Sequence, residues 1–219
     1  MLRIILYISR ILALMLVLPL HEFAHAFAAV KSGDNTPKIY GRYTINPLAH
    51  FDPIGVVCFV LVGFGWAKPV PINPNNFNNY KKGCFFTSIA GVAANYLLAF
   101  IAYPLMILSF GIPEFGYFDD VVKYTLIGIV NMSLSFFIFN LIPVYPLDGF
   151  RVVDVFCKKR GSLYWFLKNK GMYILYALFA LGIVADITGI SRLDVLGTLI
   201  GYVYQIIEIP IYLFWELIF

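Results

Sequence analysis

Four or five stretches of this sequence are long and apolar enough to cross a lipid bilayer, and they limit the possible folds more than any other feature. They run over 4–30, 85–112, 121–142, 172–187 and 195–217. A hydrocarbon core of about 30 Å needs roughly 20 residues of helix. Within it each peptide group must be satisfied inside the protein, which restricts lipid-exposed spans to helices or closed barrels. Composition agrees with helices in lipid: 61% of the 219 residues are hydrophobic and 13% are charged, about half the charge of a soluble domain. The expectation is an all-α polytopic membrane protein with about five to six transmembrane helices, forming one membrane-embedded domain over 1–219.

A shorter apolar run, 54–64, follows Asn46-Pro47 and Asp52-Pro53 and precedes Gly65 and Pro69. It is too brief to cross comfortably, so a re-entrant or short membrane element is expected near 40–71, with a full short span as the alternative. Arg151, Lys158, Lys159, Arg160, Lys168 and Lys170 face one acid, Asp154, while 114–120 is acidic. By the excess of cations in cytoplasmic loops, 66–83 and 143–170 lie inside and 113–120 outside. The net charge of +4 is therefore a topology signal, not a nucleic-acid patch. Cys58, Cys84 and Cys157 lack CxxC spacing and read as apolar core residues or cytosol-side thiols. The first eighteen residues have the character of a secretory signal, but cleavage near Ala24 and Ala26 would cut through the motif described next. The segment is retained as a helix.

His21-Glu22-Phe23-Ala24-His25 lies inside the first apolar stretch, where Glu22 is the only acid before Asp34. Histidines four apart share one helix face, so both imidazoles reach one metal ion, with the glutamate about a quarter-turn away. This is the arrangement of zinc hydrolases, where two neutral imidazoles hold the metal and the carboxylate takes a proton from water. Ionisable groups at membrane depth are functional by default. A catalytic zinc takes three protein ligands and keeps one position open. The third is His50, an acid or nothing. Among Asp52, Asp148 and Asp154, Asp148 is the strongest, because it follows Pro143 and Pro146 and precedes Gly149 at the end of an apolar helix. Backbone there is free to unwind and aim a carboxylate into the bundle.

The chain also resembles the site-2 protease family of intramembrane zinc metalloproteases. The matching pieces are His21-Glu22-x-x-His25, Asn46-Pro-Leu-Ala-His50-Phe-Asp52-Pro53-Ile-Gly55 and Phe64-Gly-Trp66-Ala-Lys68-Pro-Val-Pro71. Ala90-Gly91-Val-Ala-Ala-Asn95 and Asn140-x-x-Pro143-x-x-x-Leu147-Asp148-Gly149 follow in the same order. The resemblance is to the short bacterial branch without PDZ or CBS domains. Val92 stands where many relatives have proline. The resemblance implies a three-helix catalytic core within about 4–155, with extra transmembrane helices over about 170–219. It further implies one Zn²⁺ on His21, His25 and Asp148, and Glu22 as general base.

Three further residues have two readings each. Asn140 either bridges helices or donates to the oxyanion of a tetrahedral intermediate. Asn95 either contacts substrate backbone or joins helices. His50 either assists near the metal or holds the turn over 46–53. The expected activity is hydrolysis of peptide bonds within or next to transmembrane segments of membrane-protein substrates. An extended substrate would pair with an edge near 38–45 or 66–71. The expected place is the cell membrane, with the site reached from the cytoplasmic side. Two alternatives stand beside this: a catalytically silent scaffold, and a membrane metalloprotease acting on soluble or lipidated peptides.

Overall fold

Thirty residues without a helix-breaking polar cluster, Leu2–Lys31, form the first helix, α1, which continues through the buried Pro19. In the computed structural model, which describes residues 1–62, 65–111 and 116–219, the remaining helices follow in short and long classes. The short ones are α2 (Thr36–Ile39), α3 (Pro47–His50) and α4 (Pro53–Val62). Then come α5 (Tyr80–Phe110), α6 (Tyr117–Leu141), α7 (Asp148–Phe156), α8 (Ser162–Thr188) and α9 (Val195–Glu216). Among the described residues, five helices (α1, α5, α6, α8 and α9) are long and apolar enough to cross a membrane. They coincide with the five apolar stretches of the sequence. Residues 63–64, which close the short apolar run, and 112–115, which open the acidic loop, lie outside the described residues.

The short run becomes α4, ten residues long. At 1.5 Å per residue it spans about 15 Å, roughly half a hydrocarbon core. The extended edge expected at 38–45 does not form. Asn35 and Pro37 start a turn of helix over Thr36–Ile39, and Gly41, with a φ of +67°, reverses the chain directly afterwards. Proline at a first helical position is already set for the helix, and glycine accepts the left-handed turn. Extended backbone appears instead on the other candidate segment, where Ala67 bridges Phe51 antiparallel and the Lys68 amide donates to the His50 carbonyl at 2.8 Å.

The core lies between α1, α5 and α6. Ala13, Leu14 and Val17 meet Ala99 and Ala102 of α5 and Val130 and Leu134 of α6, and Ile211 of α9 closes one side. In lipid, apolar burial does not drive helices together, so close fit and small residues must. Gly128 of α6 shows this directly: a Cβ there would sit 3.1 Å from the Ala13 methyl. By contrast α8 and α9 leave most of their surface uncovered by protein.

A buried carboxylate ties the loops beside the core. Asp34, immediately after α1, is fully buried. It accepts from the Thr36 amide and hydroxyl, from the Asn73 amide at 2.7 Å and from Asn76 Nδ2 at 2.8 Å. Burial alone pushes this carboxyl up, but the hydrogen bonds from Thr36, Asn76 and Asn73 outweigh it and hold it below the ordinary carboxylate range. The consequence is positional. The end of α1 and the segment after residue 65 are pinned together, which sets the extended stretch over the polar face of α1.

Candidate metal centre

His21 and His25, one turn apart on α1, are both buried. Their Nε2 atoms lie 3.0 Å apart. Asp148 enters from the first turn of α7, with Oδ2 3.0 Å from His25 Nε2 and 3.5 Å from His21 Nε2. Among the described residues, these three form the one group of donors within 4.8 Å of one another. Tetrahedral zinc with bonds of about 2.0–2.1 Å holds its ligand atoms about 3.3 Å apart. The observed separations bracket that value. Asp148 Oδ2 is also completely buried and makes no hydrogen bond of acceptable geometry, despite its proximity to both imidazoles. A buried carboxylate oxygen without a hydrogen bond is costly, and a cation shared with the two histidines resolves it. The donor set fits a divalent metal ion.

Glycines make this convergence possible. Gly149 follows Asp148 not for a left-handed turn but because a Cβ there would collide with the Leu141 and Ile142 carbonyls. The start of α7 thereby lies against the end of α6. Gly91 of α5 faces the imidazoles themselves: a Cβ would overlap His25 Nε2 and His21 Cε1. Gly91→Ala should raise intrinsic helix propensity by roughly 1 kcal/mol yet push both rings off their positions. The expected result is at least about tenfold weaker metal binding, with helical content unchanged by circular dichroism. Unaltered metal affinity in that variant would show that the rings have room the packing denies.

Glu22 lies beside the donors but belongs to a different contact. Its Oε2 accepts from the Val70 amide at 3.2 Å, so the extended 66–71 segment passes over the carboxylate. His21, Glu22 and Asn140 line a cavity of about 700 Å³, whose other walls include Phe59, Trp66, Phe136, Leu175 and Phe179. The lining is mostly apolar, including Leu14 and Leu18 of α1, with His21, Glu22 and Asn140 among its few polar side chains. Asn140 spends one amide proton on the Phe136 carbonyl of its own helix, at 3.0 Å.

Asn95 and His50 sit elsewhere. Asn95, fully buried on α5, places its amide 3.0 Å from His21 Nδ1. His50, the last residue of α3, is fully buried, with Nε2 2.8 Å from the Thr44 carbonyl, and it is not among the metal-competent donors. Its own carbonyl holds the Lys68 amide, so its visible work is to fix the base of the extended segment. Three contributors escape a reading of side chains. The Val70 amide and the Thr87 carbonyl, which lies 2.6 Å from His25 Nδ1, are backbone groups. Gly91 acts by the space it leaves. Gly91 and Val70 each lie inside a motif whose physical reason the sequence does not show, and Thr87 lies in none.

Comparison with known proteins returns two metalloprotease relatives. "Putative zinc metalloprotease YwhC" of Bacillus subtilis is 37% identical over 146 residues, covering 66% of this chain and 67% of its own. "Putative zinc metalloprotease Rip2" of Mycolicibacterium smegmatis is 28% identical over 140 residues, covering 62% of this chain and 52% of its own. No family model matches, and no solved structure matches.

Proposed function

The chain belongs to the site-2 protease family of zinc metalloproteases, and from that premise we propose that it hydrolyses peptide bonds within or next to membrane-spanning segments of other proteins. One Zn²⁺ would be held by His21, His25 and Asp148, with Glu22 as general base. The observation that carries this reading is the placement of the donor group. It is buried in the α1–α5–α7 contact, and its His21, with the adjacent Glu22, lines a mostly apolar cavity whose walls include helices able to span a membrane.

Zinc, when bound, supplies Lewis acidity that makes a water acidic enough to be deprotonated near neutral pH and polarises a carbonyl. The chain's own groups do the rest. Glu22, steadied by the Val70 amide, takes the proton from the attacking water and delivers it to the leaving amine. A substrate helix cannot be cut while its carbonyls are engaged in its own hydrogen bonds. The extended 66–71 segment offers backbone partners to a stretch that has unwound beside Glu22. The second amide proton of Asn140, which lines the same cavity as His21 and Glu22, serves the developing oxyanion. The basic loops support a site reached from the cytoplasmic side of a cell membrane.

The test is to reconstitute the purified chain in liposomes with single-span model proteins and map the cuts by mass spectrometry. Cuts inside the apolar span, stopped by a zinc chelator, are the expected result. Cuts confined to polar flanks would overturn the intramembrane part of the reading. No cleavage of any span by metal-loaded protein would favour a silent scaffold.

A further inference from the structure

Both imidazoles of the donor group are met by a single face of α5. Thr87, Gly91 and Asn95 recur every four residues and therefore form one stripe along that helix. The Thr87 carbonyl lies 2.6 Å from His25 Nδ1 and the Asn95 amide 3.0 Å from His21 Nδ1, while Gly91 between them leaves the room that the rings fill. A carbonyl oxygen only accepts. His25 therefore carries its proton on Nδ1 and keeps a lone pair on Nε2, the nitrogen 3.0 Å from Asp148 Oδ2.

Asn95 has no such fixed polarity. Its amide has a donor end and an acceptor end of nearly equal shape, and the partner decides which is used. If Nδ2 donates to His21, the proton of that imidazole sits on Nε2, and the ring cannot ligate a metal through the nitrogen that faces Asp148 and His25. If Oδ1 accepts, the proton sits on Nδ1 and Nε2 is released. Asn95 is fully buried. In the structure Nδ2 faces His21 Nδ1 and Oδ1 has no hydrogen-bond partner. An end-over-end flip of the amide leaves its shape unchanged and brings Oδ1 to the same place, and ligation through His21 Nε2 requires that flipped orientation.

We infer that Asn95 is a positioning residue for His21. Its Oδ1 accepts the Nδ1 proton, fixes the ring's tautomer and plane, and does for His21 what the Thr87 carbonyl does for His25. Such partners of ligating histidines raise their basicity and tune metal affinity. The inference rests on the metal reading of His21, His25 and Asp148. It predicts a dependence on the acceptor alone, which a mere bridge between α1 and α5 does not have.

The test is a competition titration of the detergent-purified full chain against a chromophoric zinc chelator, for the native protein, Asn95→Leu and Asn95→Asp. Helical content and thermal unfolding are measured alongside. Asn95→Leu keeps the volume and loses the acceptor, and should weaken zinc binding about 10–100-fold. Asn95→Asp keeps an acceptor and loses the donor, and should bind within about threefold of native or more tightly. Native affinity in Asn95→Leu would overturn the inference. So would an Asn95→Asp protein as weak as the leucine variant, because the amide would then be acting as a donor. Should Asn95→Leu not fold, Asn95→Asp decides alone. A native protein that binds no zinc would instead remove the metal reading beneath it, and that failure is seen before any variant is compared.

Discussion

Glu22→Gln is expected to slow peptide hydrolysis by about 10²–10⁴-fold, the usual worth of a positioned general base, while metal binding stays at the native level. The two effects separate because Glu22 is outside the donor group formed by His21, His25 and Asp148. Glutamine keeps the length of the side chain and an oxygen able to accept from the Val70 amide, now 3.2 Å from Glu22 Oε2. What it lacks is the capacity to take up a proton. Steady-state cleavage of a single-span substrate, with zinc content measured on the same preparation, reads both quantities. An undiminished rate in Glu22→Gln would remove the residue from the chemistry.

Asp148→Ala should have the opposite profile, losing metal first and activity as a consequence. Asp148 brings the only negative charge to the donor group, and its Oδ2 stands 3.0 and 3.5 Å from the two Nε2 atoms. Its removal leaves two neutral imidazoles on one helix, a set that holds a divalent ion poorly. The loss of affinity should exceed the 10–100-fold typical of groups that only support a ligand. Chelator competition measures it directly. Retained affinity in Asp148→Ala would mean that the third ligand lies elsewhere in the chain.

The parts of this molecule that are local in sequence were legible, and those that depend on distant backbone were not. A membrane helix declares itself by length and apolar content, so α1, α5, α6, α8 and α9 appear where the sequence put them. The His21–His25 spacing works because both side chains belong to one helix turn. Asp148 could be singled out because few acids lie among the apolar spans. Of the two segments offered as an extended edge, 66–71 is extended and 38–45 is not, although aromatic and β-branched residues such as Tyr40, Tyr43, Thr44 and Ile45 favour extended backbone in isolation. There, Pro37 and Gly41 instead set a helical turn and a reversal. Asp34 is an ordinary loop acid in sequence, because its role comes from donors near residues 73–76 that no local pattern reveals. Asn95 was recognisable as polar and embedded, yet its partner His21 is 74 residues away.

The same distinction explains the glycines. Gly91 and Gly149 carry ordinary helical surroundings in sequence. Their reasons lie across the interface, in the His21 and His25 rings and the Leu141 carbonyl. A helix glycine that looks merely tolerated is here a clearance for another element.

The most direct measurement of the account is zinc stoichiometry with X-ray absorption at the zinc edge, on native protein purified in detergent without chelators. It needs no substrate. Close to one zinc per chain is expected, coordinated by two imidazole nitrogens and by oxygen, with no sulfur. Native protein without metal under those conditions, or zinc held by cysteine sulfur, would contradict it.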